Sequence, residues 1–161
     1  MWILPEVQNG YLNEEQLAQV TVLFNAIQPG DAKRRIPNAE RAGAPNFLHL
    51  LLARDESLYF EIPAWKKLYT ESLPMVDAAV QKRFGKPLKE LTPEQASETI
   101  AALETNKLTE AAPELKQNTF FKTVLRHCVQ GCFSDPRWGG NKDRIMWKWY
   151  GYQEETREIV S

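Results

Sequence analysis

Apolar residues recur at steps of three and four along much of the chain, which is the spacing of one buried face on an α-helix. The clearest run extends from Asn13 to Ile27, where Asn13 and Gln16 have the spacing of an N-terminal capping box. Pro29 and Gly30 end this first predicted helix. Its inward positions are Leu17, Val20, Leu23, Phe24 and Ile27.

Two more helical segments are predicted between residues 46 and 85. Asn46 is placed to cap a short helix that carries several leucines. Pro63 suits the first turn of the next helix, whereas Pro74 lacks the amide that an unbroken helix needs. We therefore expect a break or a restart at Pro74, and an end at Gly85. The inward positions are Phe47, Leu48, Trp65, Leu68, Tyr69, Val76, Ala79, Val80 and Phe84.

The last two predicted helices follow clear start signals. Thr92 and Gln95 have the spacing of a capping box, and Pro93 suits the first helical position. A long helix is expected to begin near Pro113 and to weaken at Gly131. The inward positions are Ala96, Ile100 and Leu103 in the first, and Phe120, Phe121, Val124, Leu125 and Cys128 in the second.

No apolar segment alternates with a period of two, so β-strands are not expected. The sequence predicts an all-α fold in one compact multi-helix domain over residues 1–161. A long ordered loop is expected at residues 28–45, and an irregular segment rich in glycine and tryptophan near the C-terminus. A length of 161 residues, with 43% apolar and 25% charged residues, agrees with one soluble globular domain.

The formal charge at neutral pH is −1. A nucleic-acid-binding protein normally carries a basic surface that neutralises phosphates, so nucleic acid is not an expected partner. No stretch reaches the ~18 apolar residues of a membrane span, and the first residues lack the basic and apolar segments of a secretory signal. We therefore expect a cytoplasmic chain, unless a leader has been removed.

The two cysteines, Cys128 and Cys132, are four residues apart. On one helix face their Cβ vectors are nearly parallel, which disfavours a disulfide, so buried free thiols are predicted. His127 points away from them around the helix, and His49 is the other histidine. Neither CxxC nor HxxxH spacing occurs, so no metal site is predicted.

Three of the five tryptophans and half of the eight glycines lie in the last quarter of the chain. One interpretation is a structural loop that Trp138, Trp147 and Trp149 attach to the core. In this loop Gly139 and Gly140 would supply positive φ or close backbone approach. The alternative is a functional surface, because Trp, Tyr and Arg dominate protein interfaces.

Catalytic and cofactor motifs are missing from the sequence. The phosphate-binding GxxxxGK[ST], the dinucleotide-binding GxGxxG, the GxSxG elbow and HExxH are all absent. Asp135, Asp143, His127 and Arg137 are the nearest candidates for acid–base chemistry, but nothing in their spacing places them in one cleft. We therefore predict no catalytic, cofactor-binding or metal-binding residue, and no enzyme activity of the chain alone.

A specific pattern begins with Gly131 and continues through the run FSDPRWGGNKD at residues 133–143, Trp147-Lys148 and Gly151-Tyr152. This pattern resembles the gluconate 2-dehydrogenase subunit 3 family. These are small subunits that accompany flavin-dependent sugar dehydrogenases of the glucose–methanol–choline oxidoreductase type. Weaker similarity at residues 27–43 and 91–95 extends the resemblance over most of residues 13–152.

The resemblance implies a non-catalytic subunit that stabilises a large FAD-bearing dehydrogenase of sugars or polyols. FAD is then expected on that partner, and a cytochrome c subunit is a further candidate in the complex. In the family, a twin-arginine leader on the small subunit carries the folded partner out of the cytoplasm. Arg34-Arg35 cannot be this leader, because no apolar stretch follows it. A periplasmic location therefore requires that the leader was removed.

We expect the loop from Ser134 to Asp143 to form part of the surface that docks on the flavoprotein. The alternative is a stand-alone helical enzyme or ligand-binding domain that uses the same loop as its pocket. The predicted partner-binding residues are Ser134, Asp135, Arg137, Trp138, Gly139, Gly140, Asn141, Lys142, Asp143 and Trp147.

Overall fold

The computed structural model describes residues 9–152, and this range contains helices and loops but no β-strand. The predicted all-α fold class is confirmed, while residues 1–8 and 153–161 of the predicted domain lie outside the described residues. The α-helices of this range are α1 Glu14–Ile27, α2 Ala44–Leu51, α3 Ile62–Phe84, α4 Pro93–Glu104, α5 Gln117–Phe133 and α6 Ile145–Tyr150. Short 3-10 helices occupy Leu88–Glu90, Pro136–Trp138 and Lys142–Arg144.

Both predicted capping boxes are confirmed. At the start of α1, the Gln16 amide donates to Asn13 Oδ1 over 2.8 Å, and the Asn13 amide donates to Gln16 Oε1 over 3.0 Å. Thr92 and Gln95 exchange the same pair of bonds at the start of α4, over 3.2 and 3.1 Å. Each pair satisfies amides that a helix start leaves without partners, so these boundaries are fixed locally.

Helix α3 is continuous through Pro74, so the predicted break or restart is wrong. Pro74 lies on the exposed side of the helix, where water can bond the carbonyl that loses its amide partner. On the inner side, Leu73 and Val76 are fully buried. The apolar burial of a long helix therefore outweighs the hydrogen bond that proline removes.

Helix α2 begins at Ala44, two residues before the predicted cap. Gly43 takes the N-cap position with a φ of +74°, a left-handed conformation that glycine adopts at little cost. The Asn46 side chain donates instead to the Gly139 carbonyl over 2.9 Å. An apparent cap residue is thus a tertiary contact to the C-terminal segment.

Helix α5 begins at Gln117 rather than near Pro113, and it continues past Gly131 to Phe133. The Gln117 side chain accepts from the Leu108 amide over 2.9 Å and donates to the Leu108 carbonyl over 3.1 Å. These bonds tie Gln117 to Leu108 across a segment of turns, including the bond from the Leu115 amide to the Ala112 carbonyl, so the helix starts only after it. Packing of α5 overrides the weak helix propensity of the glycine.

The core lies where α5 packs against α1, α2, α3 and α4. Leu125 was predicted to face this core, but it is exposed, because the buried face of α5 is formed by its neighbours Phe121, Val124 and Cys128. The largest fully buried side chains are Tyr69, Phe24, Phe120, Leu23, Leu48, Leu52, Ile62, Leu73, Leu88, Leu103, Leu108 and Met146.

The connection between α1 and α2 is an ordered loop, as predicted. Asp31 and Ile36 form an antiparallel bridge with both N···O distances at 2.9 Å, and the Ala39 amide donates to the Gln28 carbonyl over 2.9 Å. Within residues 9–152, no helix combines the length and apolar character that a membrane crossing requires.

Candidate functional site

The segment after α5 opens with a tight turn at Asp135. Its Oδ1 accepts from the Arg137 amide over 3.0 Å, and its Oδ2 accepts from Arg137 Nη2 over 2.9 Å. Pro136 follows at the first position of a short 3-10 helix, where the missing amide costs nothing. The bond from Arg137 lowers the pKa of the Asp135 carboxyl and raises the pKa of the guanidinium, so both groups stay charged near neutral pH.

The two glycines of this segment serve different purposes. Gly139 has a φ of +94°, and a Cβ there would lie 2.6 Å from Leu50 Cδ1. A Cβ on Gly140 would collide with the carbonyl oxygen of Gly131. The prediction of positive φ or close backbone approach is confirmed, with one reason at each position.

Asn141 is fully buried and holds the segment in place. Its amide donates to the Gly131 carbonyl over 2.8 Å. Its side chain donates to the Ser134 carbonyl over 3.1 Å and accepts from the Met146 amide over 3.0 Å. One side chain thus joins the end of α5 to the start of α6, and it leaves no polar group of the amide unpaired.

Left-handed backbone accompanies these bonds. Asn141, Asp143 and Arg144 have φ values of +41°, +55° and +58°, which non-glycine residues adopt rarely. Each such residue costs about 1 kcal/mol or more, so the surrounding contacts must over-determine the conformation. The segment is therefore a built structure rather than a loose connection.

Two of the three tryptophans attach the segment to the rest of the fold. Trp138 is partly buried and lies under the Arg54 guanidinium, 5.0 Å from the ring centroid. Trp147 Nε1 donates to the Phe133 carbonyl over 2.7 Å. Trp149 was predicted to do the same but is exposed, because Met146 is the buried residue of the short helix α6.

The loop between α1 and α2 meets this segment in space. The Lys142 amide donates to the Ala42 carbonyl over 2.9 Å. A Cβ on Gly131 would lie 2.8 Å from Ala44 Cα, so the start of α2 packs directly on the backbone of α5. Two of the three parts of the chain that carried the sequence resemblance, residues 27–43 and residues 131–152, therefore meet in one region of the structure.

A pocket of about 150 Å³ opens beside the segment. Ser134 and Trp138 come from the predicted docking loop, Arg54 and Tyr59 from the connection between α2 and α3, and Arg126 from α5. The Arg126 guanidinium lies 5.3 Å from the ring centroid of Trp65, which also lines the pocket.

Behind this pocket lies a buried polar pair. Tyr69 Oη and His127 Nδ1 are 2.9 Å apart, and both residues are fully buried. His127 Nε2 has no hydrogen-bond partner among the described residues, and the imidazole meets Trp65 edge-on at a centroid distance of 4.7 Å. Burial, with a smaller contribution from the Arg126 charge, lowers the pKa of His127 to about 3, so the imidazole is neutral at physiological pH.

The two cysteines and His49 make contacts within the fold. Cys128 and Cys132 are buried free thiols, as predicted. The hydrogen bond with Cys132, together with burial, raises the pKa of Cys128 and keeps the thiol protonated. His49 Nδ1 accepts from the Leu12 amide over 3.1 Å. Among residues 9–152, no group of three or more His, Cys, Asp or Glu side chains is arranged to hold a metal ion.

A family model for gluconate 2-dehydrogenase subunit 3 matches residues 14–153. The match includes the loop between α1 and α2, the loop from Ser134 to Asp143 and all six α-helices of the described range. The chain belongs to the gluconate 2-dehydrogenase subunit 3 family. The resemblance inferred from the sequence is thereby confirmed. The family is one of dehydrogenase subunits, which is consistent with a small accessory subunit. Comparisons with curated proteins and with solved structures gave no match.

The ten predicted docking residues of the chain fall into three groups by burial. Gly140 and Asn141 are buried and shape the loop from inside. Arg137, Lys142 and Asp143 are exposed. The remaining five are partly buried: Ser134, Asp135, Trp138, Gly139 and Trp147. Their contact with a partner stays a prediction.

The sequence pattern did not indicate Arg54, Tyr59 or Arg126 as members of this region. Arg54 and Tyr59 lie in the connection before α3. Arg126 lies on α5, where the spacing of apolar residues indicates the buried face of the helix and not the exposed one. A weak signal was present, because Leu58-Tyr59-Phe60 is an apolar run without helical spacing. Such a run in a loop is typical of a surface that another molecule covers.

Proposed function

We propose that this chain is the non-catalytic small subunit of a complex, where it binds and stabilises a large FAD-dependent dehydrogenase of the glucose–methanol–choline type. Support comes first from the family, which is described as a subunit of gluconate 2-dehydrogenase and matches residues 14–153. The oxidised sugar or polyol would be bound by the large subunit, together with FAD.

The observation that carries this proposal is a set of exposed apolar side chains around the C-terminal segment. Leu125, Val129 and Phe133 are spaced by four residues and form one stripe along the outer side of α5. Phe60, in the connection between α2 and α3, is 88% exposed. Further exposed members are Leu58, Tyr59, Trp149, Tyr150 and Tyr152. Aromatic groups of this kind are enriched where proteins meet.

The polar groups of the loop support a binding role rather than a reaction. Asp135 is paired with Arg137, and Asn141 is engaged by backbone groups on both sides. These bonds fix the loop before any partner arrives. A surface that is rigid in the free chain loses less entropy on binding, which favours affinity.

Export of the folded partner and electron transfer to a cytochrome c subunit form a second part of the proposal. Both follow from the family resemblance. Cell fractionation of the native host measures the first, because an exported complex appears in the periplasm. An exclusively cytoplasmic dehydrogenase would remove export from the proposal without affecting the binding role.

Co-expression tests the binding role directly. The tagged chain is expressed with the reading frames next to its gene, and the captured material is examined by mass spectrometry and absorbance. We expect one large subunit with a flavin spectrum at an equimolar ratio. Capture of no flavoprotein, or sugar oxidation by the purified chain alone with an artificial electron acceptor, would reject the proposal.

A substitution in the loop makes the test specific. Arg137→Ala removes an exposed cation paired with one carboxylate, and we expect at least about tenfold less captured flavoprotein. Lys89→Ala is the matched control, because Lys89 is also an exposed cation paired with one carboxylate, Glu15, at 2.7 Å. Equal capture by the two variants would reject the loop as a docking surface.

A further inference from the structure

The pocket beside the C-terminal segment carries two arginines whose positions are fixed by aromatic rings. The Arg54 guanidinium lies over Trp138, and the Arg126 guanidinium lies over Trp65. Stacking of this kind holds the planar cation while its edge remains able to donate hydrogen bonds. The pocket therefore presents two oriented sets of donors rather than two mobile chains.

The negative charge available to these arginines within the chain is small. Arg54 makes no ion pair with another residue of the described range 9–152, and burial lowers the pKa of its guanidinium. Arg126 has one carboxylate nearby, Glu61, at 3.7 Å. This distance is longer than the 2.7–2.9 Å of a charge-assisted hydrogen bond. Both cations thus retain capacity for an anion.

Apart from Gln130 and Ser134, the rest of the wall is apolar, and the space has the size of one side chain. Phe47, Leu51 and Tyr59 line it together with the two tryptophans. A cavity of about 150 Å³ holds a benzene-sized group. A ligand that fits combines a short apolar stem with a carboxylate head.

Ser134 supplies a further polar group to the wall of this pocket. Its residue lines the pocket, and its Oγ is buried without a hydrogen-bond partner among the described residues. Buried hydroxyls in folded proteins normally have a partner. The carboxylate of an occupant would provide an acceptor for it after a small movement of the side chain.

We propose that this pocket receives a glutamate or aspartate side chain of the large dehydrogenase subunit, with its carboxylate between Arg54 and Arg126 and its methylenes on the aromatic wall. This inference rests on the proposed function and names the chemistry of the contact. A protein side chain fits better than a free anion, because the pocket is continuous with exposed apolar residues. Val129 and Phe133 directly precede two lining residues, Gln130 on α5 and Ser134 at its C-cap.

A competition experiment tests the pocket in the intact complex. A tagged variant and untagged wild-type chain are co-expressed with the large subunit, and the share of flavoprotein recovered on each is measured. For the double variant Arg54→Gln, Arg126→Gln we expect at least about a tenfold loss of share, because a buried carboxylate loses both partners. Thermal unfolding of each purified variant confirms that it folds.

The control has the same charge change at exposed positions outside the pocket. Arg34→Gln with Arg35→Gln removes two cations from the loop between α1 and α2. We expect this pair to keep a share close to that of the wild type. Equal shares of flavoprotein for the two double variants would overturn the proposal. A pocket that binds only a free carboxylate would give this result, because its loss would leave capture of the large subunit unchanged.

A second variant predicts the opposite direction. Glu61→Gln removes the carboxylate nearest to Arg126, so the incoming side chain meets less competition and the share of flavoprotein should rise about twofold or more. Glu56→Gln is the control, an exposed acid in the same connection that does not line the pocket. Equal effects of both substitutions would indicate general charge attraction and reject the pocket.

The two levels of the hypothesis fail differently. If the wild-type chain captures no flavoprotein, the proposed function is wrong, and the pocket loses its occupant with it. If the wild type captures the large subunit and the pocket variants capture it equally well, the subunit role stands and the pocket assignment is rejected.

Discussion

Two buried polar residues, Asn141 after the end of α5 and His127 within α5, have their hydrogen bonds satisfied to different degrees. Asn141 is fully buried, and both polar atoms of its side chain have backbone partners. His127 is equally buried, but only Nδ1 has a partner within residues 9–152, the hydroxyl of Tyr69. The first fixes a segment, whereas the second leaves a polar atom unpaired inside the core.

The two residues also differ in whether their side chains can change charge with pH. A buried side-chain amide does not titrate, so the hydrogen bonds that Asn141 makes do not themselves depend on pH. A buried imidazole can be protonated, and the cost of burying that charge is paid by the fold. The contribution of Asn141 to the docking segment is thus independent of pH, whereas the contribution of His127 to the core behind the pocket is not.

Replacement of Asn141 should have the largest effect on stability. Asn141→Leu leaves the Ser134 carbonyl and the Met146 amide unpaired, and we expect a loss of about 3–5 kcal/mol in the free energy of unfolding. Urea unfolding measures this loss. The control Asn46→Leu removes one exposed bond to Gly139 and should cost about 1 kcal/mol or less. Equal costs would show that burial of Asn141 is not decisive.

Acid should destabilise the chain through His127. Its pKa is lowered from 6.5 to about 3 in the folded state, so the unfolded chain binds more protons between these values. Stability is therefore complete above about pH 6.5 and falls as the pH drops toward 3, by about 2–3 kcal/mol at pH 4.5. Urea unfolding at pH 7.5 and 4.5 measures the change. A chain equally stable at both values would contradict the buried neutral imidazole.

Removal of the whole polar pair should have the smallest effect. His127→Leu alone leaves the Tyr69 hydroxyl buried without a partner and should cost about 1–2 kcal/mol at pH 7.5. The double variant Tyr69→Phe, His127→Leu removes both groups and should recover most of this cost. It should also lose most of the pH dependence above pH 4.5. A double variant that costs as much as the two single variants added together would show that the two groups do not interact, and would contradict the expected recovery.

Local sequence signals predicted much of the fold. The capping boxes at Asn13 and Thr92 depend on residues three positions apart, so they could be read directly and were confirmed. The continuity of α3 through Pro74 could not be read, because it depends on which side of the helix faces solvent. Burial is a property of the packed molecule rather than of the local run.

The site shows the same division. The Gly139-Gly140 pair predicted positive φ or close backbone approach from the sequence, because glycine adopts both at little cost. The burial of Asn141 could not be foreseen, because its partners come from the end of α5 and the start of α6. The pocket joins Arg54 to Arg126, from separate elements, and has no signal within any short stretch.

In the proposed complex, the large subunit covers the face formed by residues 134–143 and the adjoining pocket. Hydrogen–deuterium exchange of the chain alone and in the complex measures whether this face is covered. We predict slower exchange in residues 54–60 and 129–139 of the complex, with residues 105–113 unchanged. Unchanged exchange in the first two ranges, with protection confined to other parts of the chain, would contradict the account.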